Sequence, residues 1–435
     1  MVLEKLLGKN ISTFIGYNLV RKEERIFKTA LFLTSLIPLF LLFSRVVADG
    51  ALTIVGVLFL VYSVKTKNYY FLKQPMAISL LSLWLWFMVS SIFSPFDYLT
   101  AFSISLVFIR FVLFFCACTY WLFTKQEAFK FATFIITLTI VIAAADAFFQ
   151  FFTGFSISGK AKFGERLTSF LRRPDIGIYL AKLIFPIVAI WVGFIFNSKN
   201  KTGWAFSSTL MILVIAVILL TGERTATVLV LSSLILVLFI IGITNRAVRV
   251  YMIGAILSVI GVFGIIITKS SFIHSRMLDF LRDVKHFPDS LYGQLFKASI
   301  FSWEKYGILT GVGVRQFRNS CPYFEQSGLV TYCDLHSHNI YFELLSESGM
   351  VGLVLFSIFV LLCLKEVWQS LVISYRRFSS FVSNILAFSG LYVILFPISV
   401  TMSFHANWSA TLNWLGIALC IAALRSVAKI SSNLN

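Results

Sequence analysis

The sequence predicts an all-α integral membrane protein with about twelve transmembrane helices and one large loop containing short helices. Three observations predict it. The 435 residues are 58% hydrophobic and only 13% charged, with 47 phenylalanines. A mean hydropathy of +0.88 is too high for a soluble globular chain. Apolar runs of about 18 residues or more recur along most of the chain, each long enough to cross a hydrocarbon core about 30 Å thick.

Taken in order, residues 1–28 form a charged segment in which Glu4, Lys5, Lys9, Arg21, Arg25 and Lys28 are spread throughout. With no compact apolar centre before a small-residue site, this segment reads as cytoplasmic and juxtamembrane, not as a cleavable signal. Nine spans follow within 29–268, near 29–47, 50–65, 76–93, 99–123, 130–152, 176–196, 204–221, 225–243 and 250–268. A hydrophilic loop occupies 269–349, three spans near 350–372, 381–400 and 408–428 fill 350–428, and 429–435 is a short cytoplasmic tail. We find no internal repeat relating the halves and no pair of broken hydrophobic segments at corresponding positions, features that many transporter folds show.

A net charge of +18 raises nucleic acid as a partner, but the placement of the basic residues argues against it. With the N-terminus inside, the inner connections take Lys65, Lys67, Lys73, Lys125, Lys130, Lys199, Lys201, Arg246, Arg249, Arg376 and Arg377, with Arg425 and Lys429 near the final inner end. The outer connections at Ala48 to Gly50, Ser94 to Tyr98 and Thr401 to Asn407 have no Lys or Arg. Most of the charge is therefore an orientation signal.

Two outer segments depart from this bias. FTGFSISGKAKFGERLTSFLRRPDIG (152–177) carries Lys160, Lys162, Arg166, Arg172 and Arg173 with one glutamate. It is either a solvated turn or a place where an anion is met, and arginine's planar fork suits the paired oxygens of a diphosphate. Arg224, in LLTGERTATVLV, sits in a short outer connection and either snorkels, caps a helix or joins the same site. Arg110, Asp146 and Lys182 fall within predicted spans, where charges face a bundle interior or a polar cavity. Lys182 points into the outer cavity or snorkels to the interface.

The second exception is the long loop. Cys321 and Cys333 are its only cysteines, whereas Cys116, Cys118, Cys363 and Cys420 lie in spans. On an oxidising side the loop pair is expected to form a disulfide. A zinc site with His336 and His338 is the competing reading, although the spacing is not that of a usual zinc motif. CDLHSHNIYFELLSESGMVG (333–352) crowds Asp334, His336, His338, Asn339, Glu343 and Glu347 at a helix start. His338 near that N-terminus could act as a general base.

His338-Asn339, nine residues, Gly349, two residues and Gly352 resemble the motif of the bacterial O-antigen ligase family, within the superfamily that also holds O-antigen polymerases. GERLTSF (164–170) and TGERTAT (221–227) are similar to that family's two arginine-bearing outer segments. The resemblance implies a GT-C-like glycosyltransferase architecture in the bacterial inner membrane. Its termini would be cytoplasmic, and its loop and active site periplasmic. It implies transfer of a polysaccharide from undecaprenyl diphosphate to lipid A-core, with inversion and with neither metal nor other cofactor. Membrane lipids would be partners and nucleic acid would not. Arg166 and Arg224 match the arginines that hold the diphosphate, and His338 matches the proposed base. RRPD (172–175) departs from the family's usual turn, so Arg172 and Arg173 meet either substrate or membrane phosphates. A polymerase is the first alternative, because Arg166, ten residues and Gly177 also resemble a polymerase loop element. A lipid-linked glycan transporter is the second.

Three geometric expectations follow. Arg166 and Arg224 should converge. His336 should face away from His338 and either position the loop or hydrogen-bond Asp334. Glu343 and Glu347, one helical turn apart, should orient the imidazole or bind acceptor hydroxyls, with capping or solvation the alternative for Glu347.

Overall fold

Inside a bilayer every backbone N–H and C=O must find its partner within the segment, so apolar runs of this length become helices. The computed structural model describes residues 22–195 and 201–432. The sequence readings at Glu4, Lys5, Lys9, Arg21, Lys199 and 433–435 lie outside the described residues. Among the described residues, twelve helices are long and apolar enough to cross a membrane.

The helices are α1 (Lys22–Phe43), α2 (Arg45–Thr66), α3 (Pro75–Ile92), α4 (Tyr98–Val107), α5 (Ile109–Tyr120), α6 (Gln126–Thr153), α7 (Ile176–Ile190) and α8 (Lys201–Leu220). There follow α9 (Arg224–Thr244), α10 (Arg249–Lys269), α11 (Ser271–Lys285), α12 (Leu291–Tyr306), α13 (Phe317–Gln326), α14 (Ile340–Ser374), α15 (Phe378–Leu395) and α16 (Asn407–Ser432). Helix α4 and helix α5 together make one span, and α11, α12 and α13 belong to the long loop.

The centre and the rim of the bundle differ sharply in burial. The spans of α7 and α16 are 89% and 94% enclosed, whereas that of α10 has no fully buried residue and meets the core through partly buried Met252, Phe263 and Ile266. Aromatic contacts fill the core, with the Trp414 ring meeting Phe359, Phe404 and Phe115 at centroid distances of 5.7, 5.8 and 6.0 Å. Much of the phenylalanine content is therefore packing, as offset and edge-on ring pairs prefer.

Two spans are interrupted, where the sequence had shown no broken pair. The fourth is interrupted at Phe108, whose N–H is shared between the carbonyls of Ile104 and Ser105. Arg110 follows two residues later. It pairs with Asp49 near the start of α2 and with Asn407 at the start of α16, at 2.6 and 3.0 Å. The tenth span turns at Gly349, with φ +67° and ψ −169°, a conformation open to glycine and strained for other residues. A Cβ there would lie 2.1 Å from the Leu309 carbonyl oxygen. The first segment, 340–348, is thus a separate helical piece. Val312 and Gly313 donate to its Ser346 and Glu347 carbonyls at 2.8 and 2.9 Å, and Trp86 Nε1 donates to Ser348 O at 2.8 Å. These contacts satisfy a helix end that would otherwise leave carbonyls orphaned.

The long loop has its own small core of Leu295, Ala298, Phe317, Cys321, Phe324 and Val330. Cys321 and Cys333 are bonded, with Cα atoms 5.8 Å apart. Phe296 stacks on Phe342 at 4.1 Å and seats α12 on the first segment of α14.

Candidate active site

The basic connection 154–175 is shaped from below. Asp146, fully buried in α6, accepts the Ile157 N–H and the Ser169 hydroxyl, both at 2.6 Å. Gln150, one turn further along α6, accepts the N–H groups of Thr168 and Ser169 at 2.9 and 2.8 Å. A buried carboxylate and a buried amide in an apolar helix therefore serve to fold the loop, as buried polar groups must find partners.

That folding presents Arg166. Its backbone exchanges two hydrogen bonds with Phe163, its Nη2 donates to Pro174 O at 3.0 Å, and its buried Nε has no protein partner. Arg224 opens α9 and pairs with Asp283 of α11 at 2.8 Å. Between them stands Arg276 of α11, which donates from Nε to Gly222 O at 3.4 Å. Burial first, then the charges of Arg224 and Arg166, hold its proton affinity below the ordinary arginine value. Gly222 has φ +72°, and its other flank touches the Phe272 ring and Arg166 Cγ. Three guanidinium groups thus surround one turn, 221–223, which suits an anion.

The carboxylates beneath are buried. Glu223 accepts the N–H groups of Gly177 and Ile178 at 2.5 and 3.1 Å and so caps α7. Burial, then the neighbouring Asp175, pushes the Glu223 carboxyl up to about 8. A Cβ at Gly177 would approach Thr221 Oγ1 to 2.7 Å. Close helix packing therefore explains that glycine's distance from Arg166. Lys182 neither snorkels nor reaches the outer cavity. It is buried and donates to Asn413 Oδ1 of α16 at 2.6 Å.

His338 adopts φ +54°, an unusual backbone for a residue with a Cβ and a form of strain found at functional sites. Its Nε2 lies 3.0 Å from Asp334 Oδ2, and Asp334 also accepts from Leu335 N–H at 2.6 Å and Tyr332 hydroxyl at 3.3 Å. Burial opposes ionisation of Asp334, but the Leu335 N–H and His338 together keep its carboxyl below the usual range. The expected facing of His336 and its hydrogen bond to Asp334 are overturned. Its ring lies against that of His338, centroids 3.9 Å apart and planes tilted by 35°, and its buried Nε2 has no partner. The turn at His338 rotates both imidazoles to one side, which an extended chain would not do. Burial and the adjacent His338 push His336 down to about 4. Tyr292 meets the His338 ring edge-on at 5.7 Å and is also within electrostatic reach of Arg276. The arginine group and the histidine pair therefore share a neighbour.

Asn339 is a cap and a clamp. It accepts from Tyr341 and Phe342 N–H groups, and its amide donates to Pro397 O and Ser399 O at 2.7 and 3.0 Å. Nor do Glu343 and Glu347 reach the imidazole. Glu343 takes the Ser403 hydroxyl at 2.5 Å and the Phe404 N–H at 2.9 Å, while Glu347 takes the Arg315 N–H at 2.7 Å. Helix periodicity placed them on one face correctly, but that face turns into the bundle against 403–405. Arg172 and Arg173 diverge. Arg172 lines a surface pocket with Lys160 and Lys162, while Arg173 acts on Asp175 beside Arg166.

Two groups among the described residues have the composition of cation sites: Asp334, His336 and His338, and the buried Glu343, Glu347 and His405. In the second, the two glutamates already accept protein donors, which accounts for their burial without an ion. Arg276, Arg315, Arg318 and His405 were not singled out from sequence. Arg315 and Arg318 follow the glycine-rich GVGV, and His405 stands in a connection free of Lys and Arg. Those are the only local signals.

Residues 208–357 match the family model described as O-Antigen ligase. Fold and site are those of a multi-pass, all-helical membrane protein with a cationic group beside a histidine pair. Over the matched residues the chain is similar to the O-antigen ligase family. The match takes in Arg224, Arg276, Arg315, His338 and the Gly349 turn, and leaves the Arg166 connection and His405 outside it. No curated protein matches the chain significantly.

Proposed function

We propose that the protein is an O-antigen ligase that transfers a polysaccharide from undecaprenyl diphosphate to a hydroxyl of lipid A-core at the periplasmic face of the inner membrane. The observation that carries this reading is the convergence of Arg166, Arg224 and Arg276 around the turn at Gly222, joined through Tyr292 to the His338–Asp334 pair. The arginines hold the diphosphate. Asp334 accepts from Nε2–H and fixes the tautomer that leaves Nδ1, which has no protein hydrogen bond, free to take a proton.

In the reaction, the acceptor hydroxyl gives its proton to His338 Nδ1 as its oxygen attacks the anomeric carbon. The bond from that carbon to the diphosphate oxygen breaks, and the electron pair leaves with the diphosphate. The guanidinium groups stabilise the charge that builds there. Attack from the face opposite the leaving group inverts the centre.

The test is purified protein in detergent with a polyprenyl-diphosphate glycan and lipid A-core, each omitted in turn. Product that requires lipid A-core supports the ligase. Lengthening of carrier-linked glycan without lipid A-core would make it a polymerase. No transfer in detergent, together with glycan movement across a bilayer, would make it a transporter.

A further inference from the structure

A cavity of about 220 Å³ lies beside the interruption at Phe108, with Arg110, Arg315, His405 and Asn407 on its polar wall. Its other wall is apolar, formed by Ile104, Val107 and Phe111. It is smaller than the roughly 300–1,000 Å³ of sites that enclose a whole drug-sized ligand, so it takes a headgroup fragment.

The polar wall is built and unfilled. His405 is 3% exposed, and neither ring nitrogen has a hydrogen-bond partner. The nearest polar atom to its Nε2 that forms an ion-pair contact is Glu347 Oε2, at 3.7 Å. Burial, then Arg315, pushes His405 down to about 3, so the ring is neutral, with one N–H donor and one acceptor nitrogen. Arg315 stands at φ +59°. Its backbone N–H is spent on Glu347, while its buried Nε has no partner. Arg110 is held by Asp49 and Asn407, and its Nε is also unpartnered. Glu343 and Glu347 are occupied by protein donors; Asp49 accepts from Arg110 and Asn407 through Oδ2, and its buried, unpartnered Oδ1 is not on the cavity lining. What the cavity offers is donors and positive charge.

Leu99, Leu106 and Val107 on α4 are 66%, 47% and 48% exposed, so the outer wall lies at the rim of the bundle. The cavity is also coupled to the base. Arg315 and Arg318 are within electrostatic reach of His336, whose ring lies against that of His338. In addition, Thr401 N–H donates to His338 O at 2.7 Å, in the same connection that carries His405. His338 therefore stands between two cationic groups, reached through Tyr292 on one flank and through His336 on the other.

We propose that this cavity is a second anion subsite, which binds a phosphate on the headgroup of the acceptor glycolipid and aligns that lipid with His338. The assignment rests on the two-substrate transfer reading above. Phosphate is the favoured anion because a guanidinium fork with imidazole and amide N–H groups matches its oxygens.

The experiment uses the full chain in detergent, with lipid A-core before and after enzymatic removal of its phosphates. Lipid binding is measured separately from transfer. Wild type should bind the phosphorylated lipid at least about tenfold more tightly than the dephosphorylated one, and Arg315→Gln should abolish that preference. In transfer, Arg315→Gln should raise the acceptor KM about tenfold or more and leave the donor KM unchanged. Val107→Trp, which fills the cavity without changing charge, should reproduce the acceptor defect and covers the case that Arg315→Gln fails to fold. No preference for the phosphorylated lipid, or a defect in donor KM, overturns the subsite. Inorganic phosphate that stabilises the protein and leaves lipid binding untouched would overturn the lipid assignment. If lipid binding behaves as stated while wild type transfers no glycan, it is the ligase reading that fails.

Discussion

At the scale of single residues, the proposed mechanism divides the work of one base between His338 and Asp334. His338→Ala should lose about 10² to 10⁴ in transfer rate, the usual worth of general base catalysis. Asp334→Asn should lose rate while keeping the fold, since the amide can retain one hydrogen bond but cannot hold the imidazole's tautomer. Transfer kinetics on matched protein check both, and an unimpaired Asp334→Asn enzyme would remove Asp334 from the mechanism. His336 makes a different prediction. Its folded value of about 4 lies below the ordinary 6.5, so on acidification the unfolded chain takes the proton first. The stability it contributes is full above about 6.5 and is lost as pH falls towards 4. Thermal unfolding should therefore occur at lower temperature at pH 5 than at pH 7.5, and His336→Gln should flatten that dependence. An unchanged slope would show that the neutral ring contributes nothing. The chemical character of Arg166, Arg224 and His338 was legible from residue type and neighbourhood. The facing of the two imidazoles was not, because it depends on the positive φ at His338, which pattern does not specify.

At the scale of elements, glycine placement decides geometry. The motif glycines Gly349 and Gly352 were visible in the sequence, but not their reason. Gly349 turns the chain where Leu309 and Thr310 press against it, and a Cβ at Gly352 would meet Ser348 Oγ at 1.9 Å. Gly349→Ala should destabilise by at least about 1–3 kcal/mol from backbone strain alone and should misplace the 340–348 segment. A melting temperature and activity equal to wild type would contradict this. The loop core is small, and the Cys321–Cys333 bond closes a span of 12 residues, so replacing both with serine should cost about 3 kcal/mol. Hydrogen exchange over 317–337 reads that loss directly, and unaltered protection would mean that packing alone holds the loop. Helix existence was legible here from apolar length. The interruptions at Phe108 and Gly349 were not, because Phe108 lies within a long apolar run and Gly349 stands where the polar loop meets the tenth run, and hydropathy marks no break at either.

At the scale of the whole molecule, the apolar composition specified twelve spans, and the distribution of Lys and Arg singled out the connections that depart from the rest. Those connections, 154–175, 221–223 and the long loop, are the ones that bring the arginines to the histidines. What sequence did not reveal was the second cationic group, because Arg110, Arg315 and His405 come from three distant parts of the chain and meet only through packing. In the proposed reaction the arginines bind and His338 reacts. The most direct test measures donor binding and turnover side by side for Arg166→Ala, Arg224→Ala and His338→Ala, using a polyprenyl-diphosphate glycan. His338→Ala should bind donor within about threefold of wild type while its turnover falls at least about a hundredfold, and the arginine variants should lose donor binding. A His338→Ala enzyme with near-normal turnover, or arginine variants that bind donor as wild type does, would contradict that division.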